Sequence, residues 1–328
     1  MTEVGATFAD ALRPRWAAGL NTVKRPEFPS IESWLIKGTF GWLPAASGSA
    51  RLDVRGSGIA LTGALASEIS RFSCAAYESL INDNPPGAST KALGWPLIRH
   101  YYATFYCAHA LLRIAGDSLT YVSATTISTL NRVGGQYLGI SPQLTAGLYQ
   151  IKADRNSPNV IELTKISAGS GGSHEELWKQ FLDFLIELEN TIVLTQGQVP
   201  VAIDAVRVST QLRTHLCRQG KGNGAWPSGI RNSLNYRHEH GVWYPYTKKA
   251  QSSADLAARL HRWKPGSQHS FEIGPTRDDL TCFADTCNVI TQLLTASLSD
   301  IALRSPQRGK SFVDHFPFKL LRQQQFRV

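Results

Sequence analysis

WPLIRHYYATFYCAHALLRIAG, residues Trp95 to Gly116, sets the fold class of the chain. Pro96 suits the first turn of a helix, where a missing N–H costs nothing, and Gly116 suits the left-handed residue that ends one. Between them Ile98, Tyr101, Tyr102, Phe105, Ala108 and Leu112 recur at three- and four-residue steps, which puts them on one apolar helical stripe. Upstream, Leu61, Leu65, Ile69, Phe72, Ala76 and Leu80 keep the same period until Asn82 to Pro86 breaks it. Downstream, Ser173 and Glu176 read as a capping box before Leu177, Phe181, Phe184, Leu185 and Leu188, predicting a helix over Ser173 to Leu194. Further helices are predicted at Val201 to Cys217, Ser228 to His240, Ser253 to Trp263 and Thr276 to Arg304. The chain therefore reads as mainly α, a multi-helix bundle.

Residues 1–58 lack this period. Pro14, Pro26, Pro29 and Pro44 punctuate them, and Ser33 to Phe40 and Arg51 to Val54 read as short strands. A small irregular N-terminal extension or subdomain at 1–58 is expected, then a helical domain at 59–304 and a basic tail at 305–328. In that tail Arg308, Lys310, Lys319, Arg322 and Arg327 outnumber the single acid Asp314.

Across 328 residues, 42% are apolar and 18% charged, with 8 Trp, 10 Tyr and 13 Phe, a composition that excludes a disordered chain. The net charge of +9 favours polyanions as partners. Cys74, Cys107, Cys217, Cys282 and Cys287 are odd in number and irregularly spaced, which reads as buried thiols in a reducing compartment. The N-terminal residues lack a signal-peptide pattern, and the longest apolar run, Tyr101 to Leu112, is well short of the ~20 residues that span a bilayer. A cytoplasmic protein with no membrane partner is expected.

Several familiar motifs fail on inspection. Gly309-Lys310-Ser311 ends like a phosphate-binding loop, but Arg304 stands where the first glycine is needed. The glycine-rich AGSGGS at Ala168 to Ser173 has no following lysine and reads as a linker. No Gly-x-Ser-x-Gly occurs. His238-Glu239-His240 lacks the histidine that a zinc-binding His-Glu-x-x-His would need at position 242, where Val242 stands, so neither a metal nor another cofactor is expected.

The most informative chemistry lies in Pro227 to His238, PSGIRNSLNYRH. If Ser228 caps a helix there, the seven residues from Arg231 to His238 turn about 700°, close to two turns, so both side chains share a face with Asn235 between them and Asn232 alongside. A guanidinium, an imidazole that exchanges a proton near neutral pH and an orienting amide suit attack on a phosphodiester. No metal is required when the nucleophile is the 2′-hydroxyl of RNA. Arg262 to His269 and Arg308 to His315 repeat the spacing, but Pro265-Gly266 interrupts the first and Gly309 opens the second.

Arg231, Asn232 and His238 resemble the signature of the HEPN superfamily, helical domains of prokaryotic toxins, antiphage effectors and CRISPR-associated ribonucleases. That signature is Arg, a favoured polar residue, and His after four to six intervening residues. The stretch Arg99 to Leu112 is similar to the helix written Tyr-Tyr-Ala-x-Phe-x-x-Ala-x-x-Leu-Leu in several HEPN families. The resemblance covers Ala60 to Arg304 in outline and implies a HEPN-like bundle with insertions. It further implies a metal-independent endoribonuclease, a toxin or antiphage effector, with Arg231, His238 and Asn232 catalytic and with Asn235, Arg237, Lys248 and Lys249 binding RNA. A homodimer is expected, with an antitoxin or defence-complex protein as a further partner. Members that have lost activity imply the alternative, a non-catalytic helical binding or sensor module.

Overall fold

The computed structural model describes residues 2–26, 28–46, 48–81, 92–154, 157, 159–167, 172–197, 199–244, 253–275 and 278–328. The protein is predominantly α-helical. In chain order the elements are α1 (Glu3–Leu12), α2 (Ile31–Leu35), β1 (Gly41–Leu43), β2 (Ser49–Asp53), α3 (Gly58–Ile81), α4 (Gly94–Ile114), β3 (Asp117–Val122), α5 (Ala124–Leu138), β4 (Gly147–Ala153), β5 (Val160–Lys165), α6 (Gly172–Gln196) and α7 (Pro200–Leu216). There follow α8 (Trp226–Tyr236), α9 (Ser253–Leu260), α10 (Asp279–Leu303), α11 (Phe312–His315) and α12 (Pro317–Gln323).

Helix α4 is the hub, packed by α3, α10, α8 and α6, and this is why its apolar stripe is so wide. Leu97, Tyr101, Cys107, Ala108, Leu111 and Leu112 all enter one large core with residues of the surrounding helices. A second, smaller core lies between α2, α5, the first turns of α3 and a five-stranded antiparallel sheet of order β1-β2-β5-β4-β3. Alternate residues Ala50 and Leu52, Tyr149 and Ile151, and Ile161 and Leu163 supply its sheet face, as a half-buried strand requires.

The helices expected from periodicity form within a few residues of their expected ends. The strand expected at Arg51 to Val54 forms as part of β2, whereas β3, α5, β4 and β5, which fill the interval between α4 and α6, were not expected. Residues 1–58 are not a separate extension, because Phe8 and Leu12 of α1 and the following Leu20 belong to the large core, while β1 and β2 join the sheet. Thr2 caps α1 by accepting from the Gly5 N–H, and Gly5 permits close packing on α10: a Cβ there would stand 3.3 Å from that of Ala296. Ser33 to Phe40 does not form a strand either. Ser30 and Ser33 make a capping box that starts the short helix α2. The basic tail is folded too, with Phe312, Val313, Phe318 and Leu321 buried.

All five cysteines are unpaired; Cys107, Cys282 and Cys287 are buried and Cys74 and Cys217 half-buried. Burial pushes the Cys107 and Cys287 thiols up to about 12, which makes them inert packing groups. No described helix is long and apolar enough to cross a membrane.

The two cores are tied by a buried ion pair. Glu68 of α3 is bonded to Arg113 Nε of α4 and accepts the Ile31 N–H of α2 at 3.0 Å, while Arg113 Nη2 donates to the Leu119 carbonyl of β3 at 3.4 Å. Both side chains are under 5% exposed, so losing one strands a charge without water. Glu68→Ala is expected to cost about 3–5 kcal/mol in urea unfolding, and the double change Glu68→Met/Arg113→Met to recover much of it.

Buried histidines make the fold acid-sensitive. His215 of α7 lies 3.3 Å from the Thr286 hydroxyl, and burial, then the Arg218 charge, lower its pKa to about 4. Its folded pKa is thus below the unfolded value, so the unfolded chain takes the proton first as pH falls. The expected result is full stability above about pH 6.5 and a loss on the order of 2–3 kcal/mol on approaching pH 4, read from urea midpoints. His215→Gln should flatten that slope.

Candidate functional site

Helix α8 begins two residues before Ser228. Pro227 occupies its first turn and Trp226, Ile230, Ser233 and Leu234 form the buried stripe. Ser228 therefore does not cap the helix. Its hydroxyl instead lies 2.9 Å from the Tyr101 hydroxyl of α4, and this fixes the α8 face that carries Arg231 and Asn235.

Tyr101 is fully buried and organises the site. Its phenol oxygen is 2.8 Å from His174 Nδ1 of α6 and accepts the Trp178 indole N–H at 3.4 Å. The Arg231 guanidinium lies 5.4 Å from the centre of the Tyr101 ring, within cation–π range. Arg231 Nε is buried and has no hydrogen-bond partner among the described residues. The His174 ring stacks on Phe105 at 4.3 Å and lies 5.9 Å from Tyr101.

Electrostatics follow from this packing. Burial, then the nearby Arg231 charge, lowers the His174 pKa below the ordinary histidine value, so the ring is neutral at physiological pH. Burial raises the Tyr101 pKa, against the opposing effect of Ser228, Trp178 and Arg231, and the hydroxyl stays protonated. When that hydroxyl donates to Ser228, Nδ1–H of His174 donates to the phenol oxygen and Nε2 keeps its lone pair. Behind His174, Phe105 meets His109 edge-on at 4.8 Å, and burial with Arg113 holds His109 well below its usual pKa.

The expected pairing of Arg231 with His238 on one helical face does not form. Helix α8 ends at Tyr236, and His238 is exposed in a left-handed conformation at φ 53°. The physical reason is Trp243, whose indole N–H donates at 2.7 Å to the Leu234 carbonyl, the acceptor that a continued helix would offer to His238. The Trp243 ring in turn packs on Gly94, where any Cβ would stand 2.4 Å from it, and the Leu93 N–H bonds the Val242 carbonyl at 3.0 Å. His238 is left 6.2 Å from Trp243, ring to ring.

Of the other expected residues, Asn232 is exposed, Asn235 is half-buried beside Arg231 on the helix, and Arg237 is exposed with Glu239 at 3.8 Å. Lys248 and Lys249 lie outside the described residues. Sequence reasoning missed His174, which stands next to the Ser173 that it did single out. Tyr101 lies 73 residues from His174 and 127 from Ser228, so no local spacing announces the cluster. No protein-family model, curated protein or solved structure matches the chain.

The proximity of Arg231 to His174 is measurable. By NMR titration, His174 is expected to titrate below the usual histidine range, and Arg231→Gln to move it upward without fully restoring it, since burial remains. An unchanged His174 titration in Arg231→Gln would show that the two groups do not interact.

Proposed function

We propose that the chain is a metal-independent endoribonuclease, a toxin or antiphage effector, acting at the Tyr101–His174–Arg231 cluster. The observation that carries this reading is a guanidinium with a bare Nε beside a neutral histidine whose Nε2 has no partner among the described residues. His174 Nε2 accepts the 2′-hydroxyl proton as O2′ bonds to phosphorus. The P–O5′ bond breaks, and the leaving oxygen takes a proton from His238, on the turn after α8, or from water. Arg231 neutralises charge gathering on the phosphoryl oxygens, a role worth several kcal/mol in a desolvated site. The products are a 2′,3′-cyclic phosphate and a 5′-hydroxyl end. Within the same reading, a second copy across a two-fold axis doubles a small inventory of catalytic groups, and an antitoxin or defence-complex protein restrains the activity.

Two observations favour a second reading, a non-catalytic helical binding module: the exposed His238 is off the helix, and Arg231 over Tyr101 is also a sound packing arrangement. A single experiment separates the two. Purified protein incubated with total RNA in excess EDTA is expected to leave cyclic-phosphate ends. Arg231→Ala and His174→Ala should each lower the rate about 100-fold or more with the helical spectrum intact. The rate should also fall as pH drops through the depressed His174 pKa, because the base must be neutral. Ends bearing 5′-phosphate, activity abolished by EDTA, or full activity in both variants would sink the nuclease reading and leave the module.

A further inference from the structure

Of the eight tryptophans, all but one are buried or half-buried, as the size of the side chain leads one to expect. The exception is Trp95, in the first turn of α4, which is 64% exposed. Its neighbours explain this. Gly94 has no side chain, so the Trp243 ring takes the place a Cβ would occupy, and its indole N–H is fixed on the Leu234 carbonyl at 2.7 Å. Trp95 meets that ring at 86° and 5.4 Å and keeps most of its surface in water. Such a T-shaped contact steadies a ring while covering only part of it.

Trp95 also lies in line with the candidate site. It precedes Tyr102 by seven residues, nearly two full turns, so the two share a face of α4 about 10 Å apart along the axis. Tyr102 in turn meets the His174 ring edge-on at 6.3 Å. Helix α8 runs alongside in the opposite direction, with Ser228 at Tyr101 and Leu234, through Trp243, at Gly94. Arg231 and Asn235 therefore follow the same course towards Trp95, and His238 ends it, 6.2 Å from the Trp243 ring.

We infer that Trp95 is a stacking platform for an unpaired base of single-stranded RNA whose backbone runs along α8 to Arg231. This rests on the reading of the Tyr101–His174–Arg231 cluster as an RNA site. Two observations select the occupant. The exposed residues of α8 and the chain after it as far as Tyr244 are Asn232, Tyr236, Arg237, His238, Glu239 and Tyr244, aromatic or polar with no aliphatic side chain, whereas a docked protein covers a contiguous apolar patch. The same stretch carries Arg231 and Arg237 against Glu239 alone, and Arg237 is 72% exposed with Glu239 at 3.8 Å. An aromatic ring beside cations takes any unpaired base, because every base has a π face; a duplex keeps its bases stacked inside and cannot use it.

The test is fluorescence anisotropy of the full chain with a single-stranded 2′-O-methyl RNA dodecamer, which lacks the nucleophilic hydroxyl and cannot be cleaved. Saturable binding is expected. Trp95→Ala should weaken it about tenfold, the scale of one stacked base, and Trp95→Phe, which keeps a ring, should retain most of the affinity. The matching duplex should bind wild-type protein and Trp95→Ala equally. The inference is overturned by no saturable binding of the single strand, by an equal loss in Trp95→Phe, or by the same loss with the duplex. Equal affinity in Trp95→Ala also overturns it and leaves the ring to a protein partner. Failure of the cleavage reading is a separate result: wild-type protein that binds this strand through Trp95 but leaves ordinary RNA intact removes catalysis and keeps the platform.

Discussion

The Glu68–Arg113 pair is the interaction on which the arrangement of this molecule turns. An ion pair removed from water is costly to assemble and tolerates little displacement, because both charges need their full set of partners. Arg113 has that set: the Glu68 carboxylate, the His109 carbonyl at 3.1 Å, the Leu119 carbonyl, and the Phe72 ring at 4.5 Å from the guanidinium carbon. Each partner belongs to α3, α4 or β3, and Glu68 adds α2 through the Ile31 N–H. One pair therefore fixes the sheet layer against the helical core at a defined depth, a task that non-directional apolar packing performs less sharply.

From that pair a continuous run of rings leads along α4 to the candidate site. His109 touches Arg113, lies against Phe72 at 4.7 Å and meets Phe105; Phe105 stacks on His174; His174 bonds Tyr101. Both imidazoles are buried enough, and close enough to arginine, to stay neutral. A neutral ring packs without the desolvation cost of a cation, so the run is held by stacking and shape. The site inherits its rigidity from the hub helix and its single unneutralised charge from Arg231 on α8.

How far the sequence discloses this depends on the length scale of each feature. Helices α3, α4, α6, α7 and α10 each exceed fifteen residues, long enough for the 3.6-residue period to repeat several times. The strands run three to seven residues, where alternation is hard to tell from chance, and α2 is a single turn started by its cap. Arg231 was legible as chemistry because charge is a property of the residue. The placement of His238 was not, because the end of α8 is decided by Trp243 and Gly94, which reach Leu234 from outside the helix. His174 was invisible for the same reason: its partners are tertiary.

The net charge of +9 also has a different meaning in the fold from the one it has in the sequence. Many carboxylates are spent on arginines at helix junctions: Asp300 holds Arg13 and Arg304, Asp285 holds Arg259, Glu189 holds Arg213, and Glu68 holds Arg113. These contacts neutralise the positive charge where elements cross and leave the excess elsewhere. Arg231, whose Nε is buried and which pairs with no carboxylate among the described residues, lies instead over the Tyr101 ring, where the surrounding side chains exclude water and strengthen its field.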